Sequence, residues 1–137
     1  MATLKISDLS VGDWVRWKGN ISKVKAIDIW DRVLLRCDAL MPTVRYYDLE
    51  PIPITAEKLE KNGFNRPDKK VWADTWDWTN KEDTIVELSE YKDNYYMRIV
   101  QLIDGIQKDR TCGIALHYVH QLQHALRLAG VDKEINL

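Results

Sequence analysis

No apolar run in this chain approaches the roughly 18 residues that a membrane-spanning helix needs. Insertion into a bilayer is therefore not expected. The opening Met1-Ala2-Thr3-Leu4-Lys5-Ile6-Ser7-Asp8 lacks the order of a secretory signal, charged then apolar then small, which predicts a cytoplasmic protein. Only two cysteines occur, Cys37 and Cys112, with no Cys-x-x-Cys spacing, so they read as small apolar fillers rather than a disulfide or metal framework. The six glycines form no phosphate-binding loop, and Ser7, Ser10, Ser22 and Ser89 have no nucleophile-elbow context. No carboxylate pair is marked by a motif. Neither charge is in excess: 20 Lys and Arg stand against 21 Asp and Glu, interspersed along 137 residues. Such a balance lacks the linear basic footprint of a phosphate-binding protein. A folded surface can still gather Lys23, Lys25, Arg32, Arg36 and Arg45 into one patch.

What is present predicts an α+β protein: an N-terminal SH3-like small β-barrel, then an antiparallel sheet packed against a C-terminal helix. Residues 1–50 read as the barrel. Val11, Val15 and Trp17 alternate against Trp14 and Arg16, and Lys18-Gly19-Asn20 supplies the turn. Ile21 to Trp30 is the return strand, followed by strands at Arg32 to Cys37 and about Thr43 to Leu49. Several short strands with brief turns favour closure, which removes exposed edges. Pro51 and Pro53 in residues 51–54 mark a hinge. Residues 55–137 are the second subdomain. Thr55 caps a short helix, Ala56 to Asn62, which ends at Gly63 with Phe64 packing back. Strands follow at Val71 to Trp78, Thr84 to Tyr91 and Tyr95 to Ile103, the last two joined at Lys92-Asp93-Asn94. Asp104-Gly105 turns the chain. A short extended piece around Thr111 to Ile114 leads to a helix from Leu116 to Ala129, with Val119, Leu122, Leu126 and Ala129 as its apolar stripe. Val131 to Leu137 either adds a strand or frays.

The three histidines, His117, His120 and His124, are expected on the polar side of that helix. His120-Gln121-Leu122-Gln123-His124 has the histidine spacing of the zinc-peptidase signature, but Gln121 replaces the glutamate that takes a proton from the metal-bound water. An amide cannot act as that base. The expectation is therefore of no catalytic residues, no cofactor and no functional metal, with adventitious binding by His120 and His124 at most. The six tryptophans admit two readings. In the first, Trp72, Trp76 and Trp78 share a core face, with Ala73, Thr75 and Asp77 outward. In the second, they are exposed for stacking on sugars or bases. Trp14, Trp17 and Trp30 pose the same question in the barrel.

The segment Leu9-Ser10-Val11-Gly12-Asp13-Trp14-Val15, with Gly19, Val24 and Ile27 after it, resembles the opening of SH3-like barrels of the KOW and Tudor types. Pro51-Ile52-Pro53-Ile54-Thr55-x-x-x-Leu59-x-x-x-Gly63-Phe64 and Tyr118-Val119-His120-Gln121-Leu122-Gln123 extend the likeness over nearly the whole chain. It is similar to a family of small uncharacterised proteins from gut anaerobic bacteria, their phages and mobile elements. That resemblance implies no activity. It implies that His120, Gln121 and Gln123 belong to the family motif, and His117 and His124 do not.

The leading expectation is a non-catalytic binding protein that meets a protein partner, or a second copy of itself, through Trp14, Arg16, Trp30, His120, Gln121 and Gln123. The alternative is nucleic-acid binding through the barrel, with Arg16, Lys18, Lys23, Lys25 and Arg45 on phosphates and Trp14 or Trp30 stacking bases. A metal-dependent enzyme is the third reading.

Overall fold

The computed structural model describes residues 4–37, 40–66 and 74–137. The fold is mixed α+β and mostly strand: two antiparallel sheets and a C-terminal helix, with one short helix between the sheets in sequence. The chain divides into two compact units, Met1–Pro53 with Tyr118–Gln123 and Leu137, and Ile54–His117 with His124–Asn136. No helix among the described residues is long and apolar enough to cross a membrane.

The first unit carries β1 (Trp14–Trp17), β2 (Asn20–Ile27), β3 (Arg32–Arg36), β4 (Thr43–Arg45) and β5 (Glu50–Pro51), ordered β4-β3-β2-β1-β5. No pairing joins the β4 and β5 edges among the described residues, so the closure expected from the sequence is not seen. Lys18 and Gly19 both have positive φ and close the β1–β2 hairpin with Trp17 opposite Asn20, which is the geometry that a two-residue hairpin turn requires. Pro51 sits on the edge strand β5 opposite Val15, a place where a missing N–H costs no ladder bond on the outer side.

One irregularity sets the character of this sheet. Val24 pairs with Leu35 and Ala26 with Leu34, so Lys25 is an extra residue. The bulge shifts the period-two alternation by one, which lets Val24 and Ile27, three apart, both face the core. That core gathers Leu4, Leu9, Val15, Val24, Val33, Leu35, Val44 and Leu49, with Trp17, Ile27 and Cys37 packed against it. Val11 departs from expectation. It lies in the turn before β1, 58% exposed, because the chain reverses at Gly12 (φ 95°), and the buried Asp13 holds the turn by accepting from the Ser10 N–H at 2.7 Å. Trp30 likewise lies beyond the end of β2, in the turn to β3.

In the second unit, α1 (Ala56–Lys61) starts at Thr55, whose hydroxyl accepts from the Lys58 N–H at 3.3 Å. It ends as expected. Gly63 at φ +83° lets its own N–H reach Glu60 O and the Phe64 N–H reach Leu59 O, a Schellman motif. The second sheet is β6 (Asp74–Thr79), β7 (Thr84–Tyr91), β8 (Asn94–Ile103) and β9 (Ile106–Thr111), in sequential order. Lys92-Asp93 and Asp104-Gly105, all at positive φ, make its two-residue hairpin turns. β9 replaces the extended piece expected at Thr111 to Ile114. The register puts Trp76 and Leu88 beside Met97, and Trp78 and Val86 beside Ile99, on one face. Trp76 is core and Trp78 is half-buried, with the Lys133 ammonium 5.7 Å from its ring centroid. Trp72 and Ala73 lie outside the described residues.

Asn62 is a buried polar residue that ties distant chain. Its amide donates to Lys58 O and Asn136 O, both at 2.8 Å, and its Oδ1 accepts from the Asn136 N–H at 2.7 Å. The last residues are therefore bonded in place and form no strand.

Candidate functional site

The expected polar His/Gln face does not form as read. α2 covers Val119–Leu128, so His117 precedes the helix, and its Nδ1 lies 2.7 Å from Asp93 O. The helix begins late because Leu116 bridges Tyr95 and Tyr118 bridges Pro53 in extended backbone. His120 is 3% exposed and Gln123 2%, while His124 and Gln121 are half-buried. His120 stacks on Tyr118, ring centroids 5.9 Å apart. Gln121 has an architectural task. Its Oε1 accepts the Tyr118 N–H at 3.0 Å, while Leu122 donates to Tyr118 O as the first helical bond. This is the side-chain half of a capping box, which needs Glu or Gln at the third helical position and no base. The position where a peptidase holds its glutamate is thus occupied here by a helix-start acceptor. Among the described residues, no three His, Cys, Asp or Glu are grouped to hold a metal.

A different cluster emerges on the outer face of the first sheet. Because directly paired residues share a face, the register assembles it without further assumption. Trp14 stands opposite Lys23, and Lys23 opposite Arg36, a row across β1, β2 and β3. Arg32 stands opposite Arg45 across β3 and β4, with the Trp30 ring 5.3 Å from the Arg32 guanidinium. Leu34 and Thr43 separate the two rows. Arg16, paired with Glu50, extends the cluster toward β5. The Lys23 ammonium is 5.3 Å from the Trp14 centroid, so each row contains a tryptophan under a cation. Trp30 is 64% exposed and Trp14 half-buried.

Two like-charged pairs are therefore directly opposed, Lys23 with Arg36 and Arg32 with Arg45. Like charges at such positions destabilise a sheet by a few tenths to about 1 kcal/mol. Among the described residues, Arg32 alone of these four cations has an ion-pair partner: Asp28 Oδ2 accepts from its Nε at 2.7 Å. Asp28 also accepts the Trp30 and Arg32 backbone N–H groups at 2.8 and 3.0 Å, and the bond from the Arg32 backbone is the main reason its carboxyl titrates below the usual range. Lys23, Arg36 and Arg45 form no ion pair with any described residue. The second sheet is different. Its acids Asp77 and Glu87 also oppose each other, but the row continues to Arg98, 4.0 Å from Glu87 and bonded to Asp109.

No family model, curated protein or solved structure matches the chain.

Of the residues singled out in the sequence, Trp14, Arg16 and Trp30 fall on or beside the basic face, apart in sequence from His120, Gln121 and Gln123. Arg32 and Arg36 complete the cluster, and the pairing of Arg36 with Lys23 depends on the bulge at Lys25.

Proposed function

We propose that this is a non-catalytic binding protein whose first unit takes single-stranded nucleic acid on the outer face of its sheet. The observation that carries the reading is the pair of opposed cations, Lys23 with Arg36 and Arg32 with Arg45, each beside a tryptophan. A protein partner of neutral surface would leave Lys23, Arg36 and Arg45 without a counter-charge among the described residues. A phosphate backbone supplies it, and base–aromatic stacking adds sequence-tolerant affinity. The strand order β4-β3-β2-β1-β5, with a 3₁₀ turn at Tyr46–Asp48 between β4 and β5, supports an SH3-like module.

The test is fluorescence anisotropy of a labelled oligothymidylate across a salt series. Neutralising about four phosphates on single-stranded nucleic acid gives a slope of log K against log salt near −3. Absence of binding, or affinity indifferent to salt, overturns the proposal and returns the search to protein partners.

A further inference from the structure

We infer that the basic face is divided into two subsites, Trp14–Lys23–Arg36 and Trp30–Arg32–Arg45, and that its ligand is a single strand long enough to occupy both. The inference rests on the nucleic-acid reading above and specifies it. Within each row, the two cations are direct cross-strand partners, with Cβ atoms about 4.5–5.5 Å apart. Both can donate to oxygens of the same phosphate, and hydrogen bonds from ionised donors to such oxygens are roughly twice as strong as neutral ones. The adjoining tryptophan offers a surface for the base attached to that phosphate.

The rows are separate stations. Arg32 and Arg36 are four residues apart on β3, roughly 13 Å at about 3.3 Å per residue. Leu34 lies between them and is half-buried, with no charge to continue the track. Asp28 holds the Arg32 guanidinium at the turn beside Trp30, which keeps it from reaching toward Arg36. One phosphate cannot satisfy both rows, so a mononucleotide can fill either and gain nothing from the other. A strand that bridges them binds its second station intramolecularly, at high effective concentration. A duplex presents phosphates but keeps its base faces stacked inside, which leaves Trp14 and Trp30 without partners.

The experiment uses the full chain with thymidine monophosphate, oligothymidylates from a dinucleotide to about eight nucleotides, the matching duplex, and polyglutamate as an acidic-polymer probe. Variants are R36Q for one row, R45Q for the other, and K108Q, an equal charge change on the exposed strand β9. Circular dichroism establishes that each is folded. The expected wild-type result is an affinity gain of about 100-fold or more from dinucleotide to octanucleotide, within the range that linkage provides. That gain shrinks below about 10-fold in R36Q and in R45Q and is kept in K108Q. The inference is overturned by a length gain that survives in both row variants, by equal losses in all three, or by polyglutamate and duplex showing the same gain. Those outcomes leave nucleic-acid binding standing. Failure of the wild type to bind any nucleic acid removes both.

Discussion

Lys23 and Arg36 face each other across β2 and β3 as direct partners, and no described carboxylate forms an ion pair with either. The pair stores repulsion in the empty protein. R36Q is therefore expected to stabilise the unbound chain at low salt by about 0.2–1 kcal/mol, while weakening its hold on a polyanion. Salt screens the repulsion, so the gain should vanish near 1 M, where the Debye length is about 3 Å. Urea unfolding at low and high salt measures it. A loss of stability at both would show that Arg36 is a structural residue.

Gln121 supplies the acceptor for the Tyr118 N–H at the start of α2. Q121A should cost about 1 kcal/mol, the usual scale for a lost cap. Q121E should retain the bond and gain from a carboxylate at the helix N-terminus. Thermal melts of the three proteins give the ranking, and an alanine variant as stable as wild type would refute the assignment.

Burial raises the Asp77 carboxyl above its ordinary value, and its Oδ1 is buried without a hydrogen-bond partner. The sign follows from linkage. A folded-state pKa above the unfolded one means that stability is full below the unfolded value and is lost as pH rises through the folded one. D77N should thus stabilise the protein at neutral pH, on the order of 1 kcal/mol for relieving a poorly solvated group, and make no gain well below the carboxylate range. Denaturation of both proteins at acid and neutral pH tests this. A gain at acid pH alone would reverse the argument.

Asp28 shifts the other way, lowered first by the Arg32 backbone N–H and also by the Trp30 N–H and the Arg32 side chain. A depressed pKa means that the turn is held at neutral pH and released as pH falls through the folded value. The indole resonance of Trp30 should therefore move with a midpoint below the ordinary carboxylate range, and D28N should abolish the titration. An indole titration that persists in D28N would separate Trp30 from Asp28.

Turn chemistry made much of the fold legible. Lys18-Gly19, Asp104-Gly105 and the Thr55 to Gly63 helix signals fall where the chain reverses or stops, and β7 has the bounds expected. β9 was hidden because Gln107-Lys108-Asp109-Arg110 is fully exposed and offers no alternation between core and solvent. Helical periodicity placed Val119, Leu122 and Leu126 correctly in the interior, but could not disclose that His120 and Gln123 are buried too. The basic face was readable only as a set of residues. Which cation opposes Arg36 depends on Lys25 being extra, since a ladder continued unbulged from Ile27 and Val33 would have set Val24 against Arg36 and turned Lys25 toward the core.

The two-way amide contact between Asn62 and Asn136 spans 74 residues of chain. A helix as short as α1 has little stability of its own, and the buried amide that closes it has no final partner until Asn136 is in place. The second unit therefore cannot complete its fold until a residue 74 positions downstream is available to close this contact, a long-range closure whose ordering cost comes before its reward.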